Sequence, residues 1–206
     1  MGATSSLLNF TVPLESDQSS MSNQGLIMPK IKYRFRAIFV GFGLSNTSEM
    51  TKQVMDFKRP TVDFESMTLD IYNSKIHYVG KPTWSDATVT LRDDMQGNVQ
   101  RLVGEQMQKQ FDFLNQSSAS SAVDYKFELI LQTLDGGNAA TTPIVLEEWD
   151  MVGVYCKSAD WDSFDYKTSD PVTVKLTLSM DNALQSLGSG PGVGSTVPRT
   201  LGQIAI

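Results

Sequence analysis

The segment PVTVKLTLSM, residues 171–180, sets Val172, Val174, Leu176, Leu178 and Met180 against Thr173, Lys175, Thr177 and Ser179. A period of two is that of a strand with one buried and one wet face. Residues 125–132 repeat the pattern, with Tyr125, Phe127, Leu129 and Leu131 alternating with Lys126, Glu128, Ile130 and Gln132. In Lys32 to Val40 the alternation starts the same way, but Ile38 and Val40 make its second half apolar on both sides. A strand apolar on both faces needs a second cover, either a helix or another subunit. Further strands are expected at Val54–Lys58, Met67–Tyr72, Ile76–Val79, Ala87–Leu91, Phe164–Tyr166 and, with an interruption, Ile144–Cys156. Asn73-Ser74 and the run Asp135 to Asn138 supply turn chemistry between them.

One stretch breaks this rhythm. From Met95 to Leu114 the apolar Val99, Leu102, Val103, Met107, Phe111 and Leu114 recur every three or four residues, the period of an amphipathic helix. Asp93 or Asp94 is placed to cap it. The fold class expected is therefore mainly β: an antiparallel barrel or sandwich of about eight strands with one inserted amphipathic helix. The tails differ in composition. Residues 1–29 are rich in Ser, Asn and Gln with short apolar clusters at Leu7–Phe10 and Leu26–Met28, and 186–206 form a Gly/Ser-rich strap ending in Leu201 and Ile204 to Ile206. The body is 30–185.

Charge and composition narrow the function. A net charge of -6 disfavours a protein that grips phosphate backbones, and the excess acid lies in the body, where residues 31–185 hold 15 basic and 21 acidic side chains. The single cysteine, Cys156, cannot close an internal disulfide. No apolar run is long enough for a membrane span, and the N-terminal residues lack the basic start and apolar stretch of a secretory signal.

Catalytic chemistry is hard to assemble from what remains. His77 is the one histidine, in a predicted strand with no nucleophile motif pointing to it. Gly41-Phe42-Gly43 begins like a dinucleotide loop, but Asn46 stands where the third glycine belongs. Asp160, Asp162, Asp165 and Asp170 could hold a calcium ion by type, yet the loop lacks the glycine and terminal glutamate of a calcium loop. Glu147, Glu148 and Asp150 flank Trp149 on adjacent strand positions and read as a solvated face. No enzyme activity, cofactor or metal is expected. A chain of many strands, two-faced apolar segments and sticky tails reads as an assembly subunit, whose function is its surface.

Residues 54–91, VMDFKRPTVDFESMTLDIYNSKIHYVGKPTWSDATVTL, run as a strand, a proline turn, a long hairpin around Tyr72-Asn73, then a proline-containing loop into a Thr-rich strand. After them come Arg92-Asp93-Asp94, the helix, and Ser169 to Thr173 leading to Met180-Asp181-Asn182-Ala183. This order, over about residues 30–185, resembles the tail tube proteins of contractile-tailed bacteriophages, a fold also used by type VI secretion inner tubes and by baseplate tube initiators. The resemblance implies a virion-tail protein, assembled in the bacterial host cytoplasm. It implies six copies per ring and stacked rings forming the channel for genome ejection. The implied partners are the chain itself, a tail sheath protein, a baseplate tube initiator and a tail terminator, while a tape-measure protein and DNA pass through the lumen without specific binding. The extensions 1–29 and 186–206 exceed the minimal family pattern.

On that reading Phe57, Phe64, Tyr72 and Tyr78 of the hairpin region form the inter-ring contact, and Ile38 and Val40 the contact within a ring. Face counting gives Glu128, Thr173, Thr177 and Ser179 as lumen candidates, since their apolar neighbours must face the core. The competing readings are a tube-initiator ring, a monomeric binding barrel whose cavity is lined by Trp84, Trp149 and Trp161, and an enzyme built on Asp160 to Asp170.

Overall fold

A computed structural model describes residues 29–44, 47–137, 142–167, 169–188 and 192–194. The chain divides into two compact units, 1–33 and 34–206; of the first only 29–33 are described, with a turn at Lys32–Tyr33. The apolar clusters Leu7–Phe10, Leu26–Met28 and Leu201–Ile206 lie outside the described residues.

The second unit contains, in order, β1 (Phe35–Val40), α1 (Ser48–Gln53), β2 (Val54–Lys58), β3 (Val62–Ile71), β4 (Ser74–Trp84), β5 (Ala87–Arg92), α2 (Asn98–Gln110), β6 (Phe111–Asp112), β7 (Ser117–Ser118), β8 (Phe127–Leu134), β9 (Val145–Trp161), β10 (Thr173–Ser179) and β11 (Asn182–Leu187). All pairings are antiparallel. The main path runs β1-β8-β9-β10-β5-β2, with β11 beside β9. It is an open path whose ends do not meet, so the fold is sandwich-like rather than a closed barrel.

The long strand β9 belongs to both layers. Its first part, to Val154, lies between β8 and β11, and its second part, from Tyr155, pairs with β10. The change of layer falls at Gly153, which adopts φ +68°. A Cβ there would stand 2.2 Å from Asp181 Oδ2, so the bend requires the residue without a side chain. Asp181 is held over the bend by Lys126 Nζ at 2.5 Å and by its own N–H to Val152 O at 3.2 Å.

Inside the bend, alternation does what the sequence predicts. Ala37 and Phe39 of β1, Phe127, Leu129 and Leu131 of β8, Met151 and Val154 of β9, Val174, Leu176 and Leu178 of β10, and Ala87, Val89 and Leu91 of β5 form one buried cluster. α2 covers it with Val99, Leu102 and Val103, each fully or almost fully buried; side chains of this size contribute about 1.5–3 kcal/mol apiece on burial. Two glutamines fasten the helix. Gln106, completely buried, accepts from Gly43 N at 3.0 Å and donates to Tyr125 O at 2.6 Å. Gln110 pairs with both backbone groups of Cys156, accepting from N at 2.9 Å and donating to O at 2.8 Å. Cys156 is buried, and that burial pushes its thiol up to about 11, leaving it protonated and inert.

Several expectations shift. α2 ends at Gln110 rather than Leu114, because the Asp112 carboxylate accepts from Leu114 N and Asn115 N and turns the chain into the β6–β7 bridge. Leu114 is consequently exposed. At the other end the residue before the helix is Gly97, and Asp94 reaches forward to accept from Asn98 N at 2.8 Å; these bonds hold its carboxyl below the usual range against the opposing effect of desolvation. Phe164–Tyr166 is not a strand: Asp162 and Asp165 cap Ser163 N and Lys167 N, and both aromatic rings point into solvent. β9 continues unbroken from Val145 through the bend, and the six-residue α1, too short to carry a clear period, is an element the sequence reading does not anticipate; it buries Met50.

The bend yields a stability prediction. Gly153→Ala should lower stability by roughly 1–3 kcal/mol, the usual cost of a non-glycine side chain in that backbone region, measured by urea unfolding. Adding Asp181→Ala should recover the steric part and leave the backbone part; a G153A variant as stable as the parent would show that the bend tolerates a side chain.

Candidate functional site

β3 and β4 stand out from the body. Among the described residues they pair only with each other, through nine registered positions from Val62–Trp84 to Ile71–Ser74, and the chain reverses at Tyr72, whose φ is +40° and whose side chain is fully exposed. The register sorts the outer part of the hairpin into two faces. Thr68 and His77, then Asp70 and Lys75, face each other on one side, with Thr68 Oγ1 3.2 Å from His77 Nδ1 and an ion pair of 3.2 Å. Met67 and Tyr78, Leu69 and Ile76, and Ile71 share the other side, all substantially exposed. A two-stranded hairpin is marginal by itself in water, and an apolar stripe of five side chains on one calls for a cover.

The root of this hairpin is built with care. Thr61 and Ser85 close it with backbone and hydroxyl bonds of 2.7–2.8 Å. Trp84 packs edge-on against Trp149, centroids 6.4 Å apart, and its Nε1 donates to Asn182 Oδ1 at 3.2 Å. Behind them Glu147, with 6% of its side chain exposed, accepts at Oε1 from Trp149 Nε1 (2.7 Å), Gln185 Nε2 (2.8 Å) and Arg59 Nη1 (3.4 Å). A buried carboxylate persists only when paired and hydrogen-bonded, and here its partners tie β9, β11 and the β2–β3 turn together. The expectation of a solvated face at Glu147 is thus corrected: β9 turns that side chain inward with Trp149 and Met151, while Glu148 and Asp150 lie on its other side, both half-buried.

Of the proposed contact residues, Phe64, Tyr72 and Tyr78 lie on this hairpin and are exposed, whereas Phe57 sits on β2, half-buried against the core. Met67, Leu69, Ile71 and Ile76 were not singled out in the sequence; their signal was the period of two over 67–71, continued across the turn. Ile38 and Val40 lie on the outer side of β1, half-buried and exposed respectively. Trp84 and Trp149 share the hairpin root while Trp161 is exposed at the far end of β9, so the three tryptophans line no common space.

The lumen candidates divide between two surfaces. Thr173, Thr177 and Ser179 share the outer side of β10 with Lys175, opposite Thr88, Thr90 and Arg92 of β5 and Ser158 and Asp160 of β9. Glu128 lies on the outer side of the other layer, where Arg36 Nε donates to Gln132 Oε1 at 2.5 Å and Gln132 Nε2 donates to Glu148. There a hydrogen bond to Asp150, burial and the Asp150 charge together raise the Glu128 carboxyl above its usual range. Asp150 Oδ1 is buried without a permanent donor, and a protonated Glu128 offers one to that carboxylate. Among the described residues no three His, Cys, Asp or Glu side chains gather as a metal site, and no helix is long and apolar enough to cross a membrane. Asp162 is occupied with Ser163 N and Thr173 Oγ1, and Asp165 with Lys167 N.

No family model matches the sequence, and no curated protein matches it as a relative. Solved structures do. The chain is similar to the cap that terminates the tube of the anti-feeding prophage, at 14% identity and TM-score 0.56, over 83% of this chain and 99% of that one. It is similar to the sheath/tube terminator of the extracellular contractile injection system PVC, at 15% identity and TM-score 0.56, over 79% and 99%. A chain of the PVC sheath-tube complex matches at 15% identity and TM-score 0.50, over 84% and 99%. The fold is a tail-tube-like one.

The Glu128–Asp150 pair makes a pH prediction. Because Glu128 binds its proton more tightly folded than unfolded, its contribution is present below about pH 4.5, its ordinary value, and is lost as pH rises through the raised value. Glu128→Gln should therefore gain stability over the parent at pH 8 and none at pH 4, as read by urea midpoints; equal differences at both pH values would remove the shared proton.

Proposed function

We propose that the chain is a structural subunit of a phage tail tube, six copies closing a ring and rings stacking into the channel through which the genome leaves. The observation that carries this reading is the β3–β4 hairpin, an amphipathic arm rigidly rooted at Glu147 and bare along Met67, Leu69, Ile71, Ile76 and Tyr78. In the proposed tube this stripe, with Phe64 and Tyr72, rests on the adjacent ring, and β1 with Ile38 and Val40 meets the neighbour within a ring. A contact that joins unlike patches of identical copies propagates, either closing a ring or extending a stack. The channel wall takes one of the two outer faces, the hydroxyl-rich one of Thr173, Thr177 and Ser179 or the acidic one of Glu128. The acidic balance of the body disfavours a wall that holds a phosphate backbone, and on the hydroxyl-rich face Lys175 and Arg92 are partly offset by Asp160 of β9.

The remaining assignments follow from the same reading. The chain has no catalytic role, assembles in the host cytoplasm and resides in the virion tail. It contacts the sheath protein, the baseplate tube initiator and the tail terminator, and the tape-measure protein and DNA pass through without specific binding. The body comprises residues 30–185, and the apolar ends of 1–29 and 186–206 act as straps between subunits. A second reading, a ring that ends a tube instead of repeating along it, is favoured by the higher TM-scores with terminating caps.

Electron microscopy and mass photometry of the purified chain decide between them. Stacked rings are expected for a tube subunit and single rings for a terminator; a stable monomer of 22.7 kDa at micromolar and higher concentration overturns both. Leu69→Asp with Tyr78→Ser should leave rings intact but unstacked, since central aromatic anchors are commonly worth about 2 kcal/mol or more each. Stacks as long as the parent's would take the hairpin out of that role.

A further inference from the structure

The layer formed by β1, β8, the first part of β9 and β11 has two edge strands of matching design. Both have six residues. Following the registers across the layer, Phe35 is level with Thr133, Glu147 and Leu187; Ala37 with Leu131, Trp149 and Gln185; Phe39 with Leu129, Met151 and Ala183. Since each pairing is antiparallel, β1 and β11 run in opposite directions. The hydrogen bonds Leu134 N to Arg34 O and Gly188 N to Leu146 O fix which backbone groups point inward. Antiparallel alternation then turns those of Phe35, Ala37 and Phe39 outward on β1, and those of Ala183, Gln185 and Leu187 outward on β11. The outward groups stand at the same three heights. A second copy set beside the first would bring its β1 to this β11 as the next antiparallel strand, donors facing acceptors and core side chains on the core face.

One of those rungs is taken. Gln185 N donates to Val193 O at 2.6 Å, so residues 192–194 lie along the outer edge of β11. Two glycines make this fit: a Cβ on Gly192 would stand 2.1 Å from Gln185 O, and Gly194, at φ +87°, leaves 2.4 Å to Leu184 Cδ2. At the height of Phe39 the edge is also plugged, by Thr47 Oγ1 donating to Phe39 O and by Asn182 Oδ1 accepting from Ala183 N. The Phe35 and Ala37 rungs, facing Leu187 and Gln185, are where a junction forms, and the second of these is where the returning segment sits.

We propose that residues 192–194 are a clasp that covers the β11 edge in the isolated chain and must leave before β1 of a second copy can pair there. This rests on the reading of the chain as a ring subunit, and it adds which two edges join and what holds them apart. Unpaired edges template indiscriminate pairing; a clasp made by the same chain blunts the edge until a better-fitting strand replaces it.

The test uses a labelled peptide of residues 34–41 as the β1 edge, with the full chain, Gly192→Val and a chain ending at Gly188, each first verified as folded by circular dichroism. Binding should be at least tenfold tighter to the two clasp variants than to the parent, and lost when the peptide carries Ala37→Pro, which removes the amide aimed at Gln185. Hydrogen exchange at the Gln185 amide should be slow in the parent and fast in both variants. Equal peptide affinity for all three chains, binding by the proline peptide, or a fast Gln185 amide in the parent overturns the clasp. Failure to see rings in any chain while these readouts hold would instead overturn the ring reading and leave the edge pairing standing.

Discussion

Everything in the second unit hangs on how β9 passes from one layer to the other. A strand of 17 residues shared by two sheets must bend, and it does so at one glycine whose missing side chain is replaced by the Asp181 carboxylate from the facing β10–β11 connection. The same connection therefore bends together with β9, and the two strands change layer as a pair. Lys126 offsets the charge that this substitution brings in. With the bend in place, the alternating side chains of β1, β8, β9, β10 and β5 point to a common interior, and α2 has a single surface on which to lie.

The hairpin shows the opposite physics. Its strands gain nothing from the core beyond the root, and their order comes from that root and from the ladder alone. The buried Glu147 matters because its donors come from β9, β11 and the β2–β3 turn, so moving the hairpin relative to the body would take the Arg59 guanidinium away from a buried carboxylate that Trp149 and Gln185 serve with neutral donors. The arm is thus stiff where it leaves the body and unsupported where it is apolar, a combination suited to a surface completed by another molecule.

Much of the architecture was legible because it rests on periodicity. Val172 to Met180 and Tyr125 to Gln132 alternate so regularly that their core faces could be listed, and the helix repeat named Val99, Leu102 and Val103. What escaped is what periodicity does not encode. Gln106 and Gln110 are polar residues on a helix, and nothing in their identity says that one is wholly buried or that the other completes a strand edge. Glu147 looked like one of three adjacent surface acids, whereas alternation along β9 sends it inward and its neighbours to the other side. Phe164 and Tyr166 looked like strand aromatics, but aspartates on either side found local amides to cap before any ladder could form. Of the residues picked by aromatic type, Phe64, Tyr72 and Tyr78 are exposed on the hairpin and Phe57 is half-buried against the core; the aliphatic stripe beside them was missed because it becomes a stripe only once the turn at Tyr72 sets the register.

The way α2 is fastened has an environmental consequence. Gln106 and Gln110 hold the helix to the body through neutral amide bonds to main-chain groups, and amides neither titrate nor attract counterions. Ion pairs at those positions would weaken in brine and dissolve in acid. The buried glutamine bonds hold across a wide span of salinity and acidity, and what salt loosens at this helix are its charged outer bonds, from Leu44 N to Glu105 Oε2 and from Lys109 Nζ to Gly41 O.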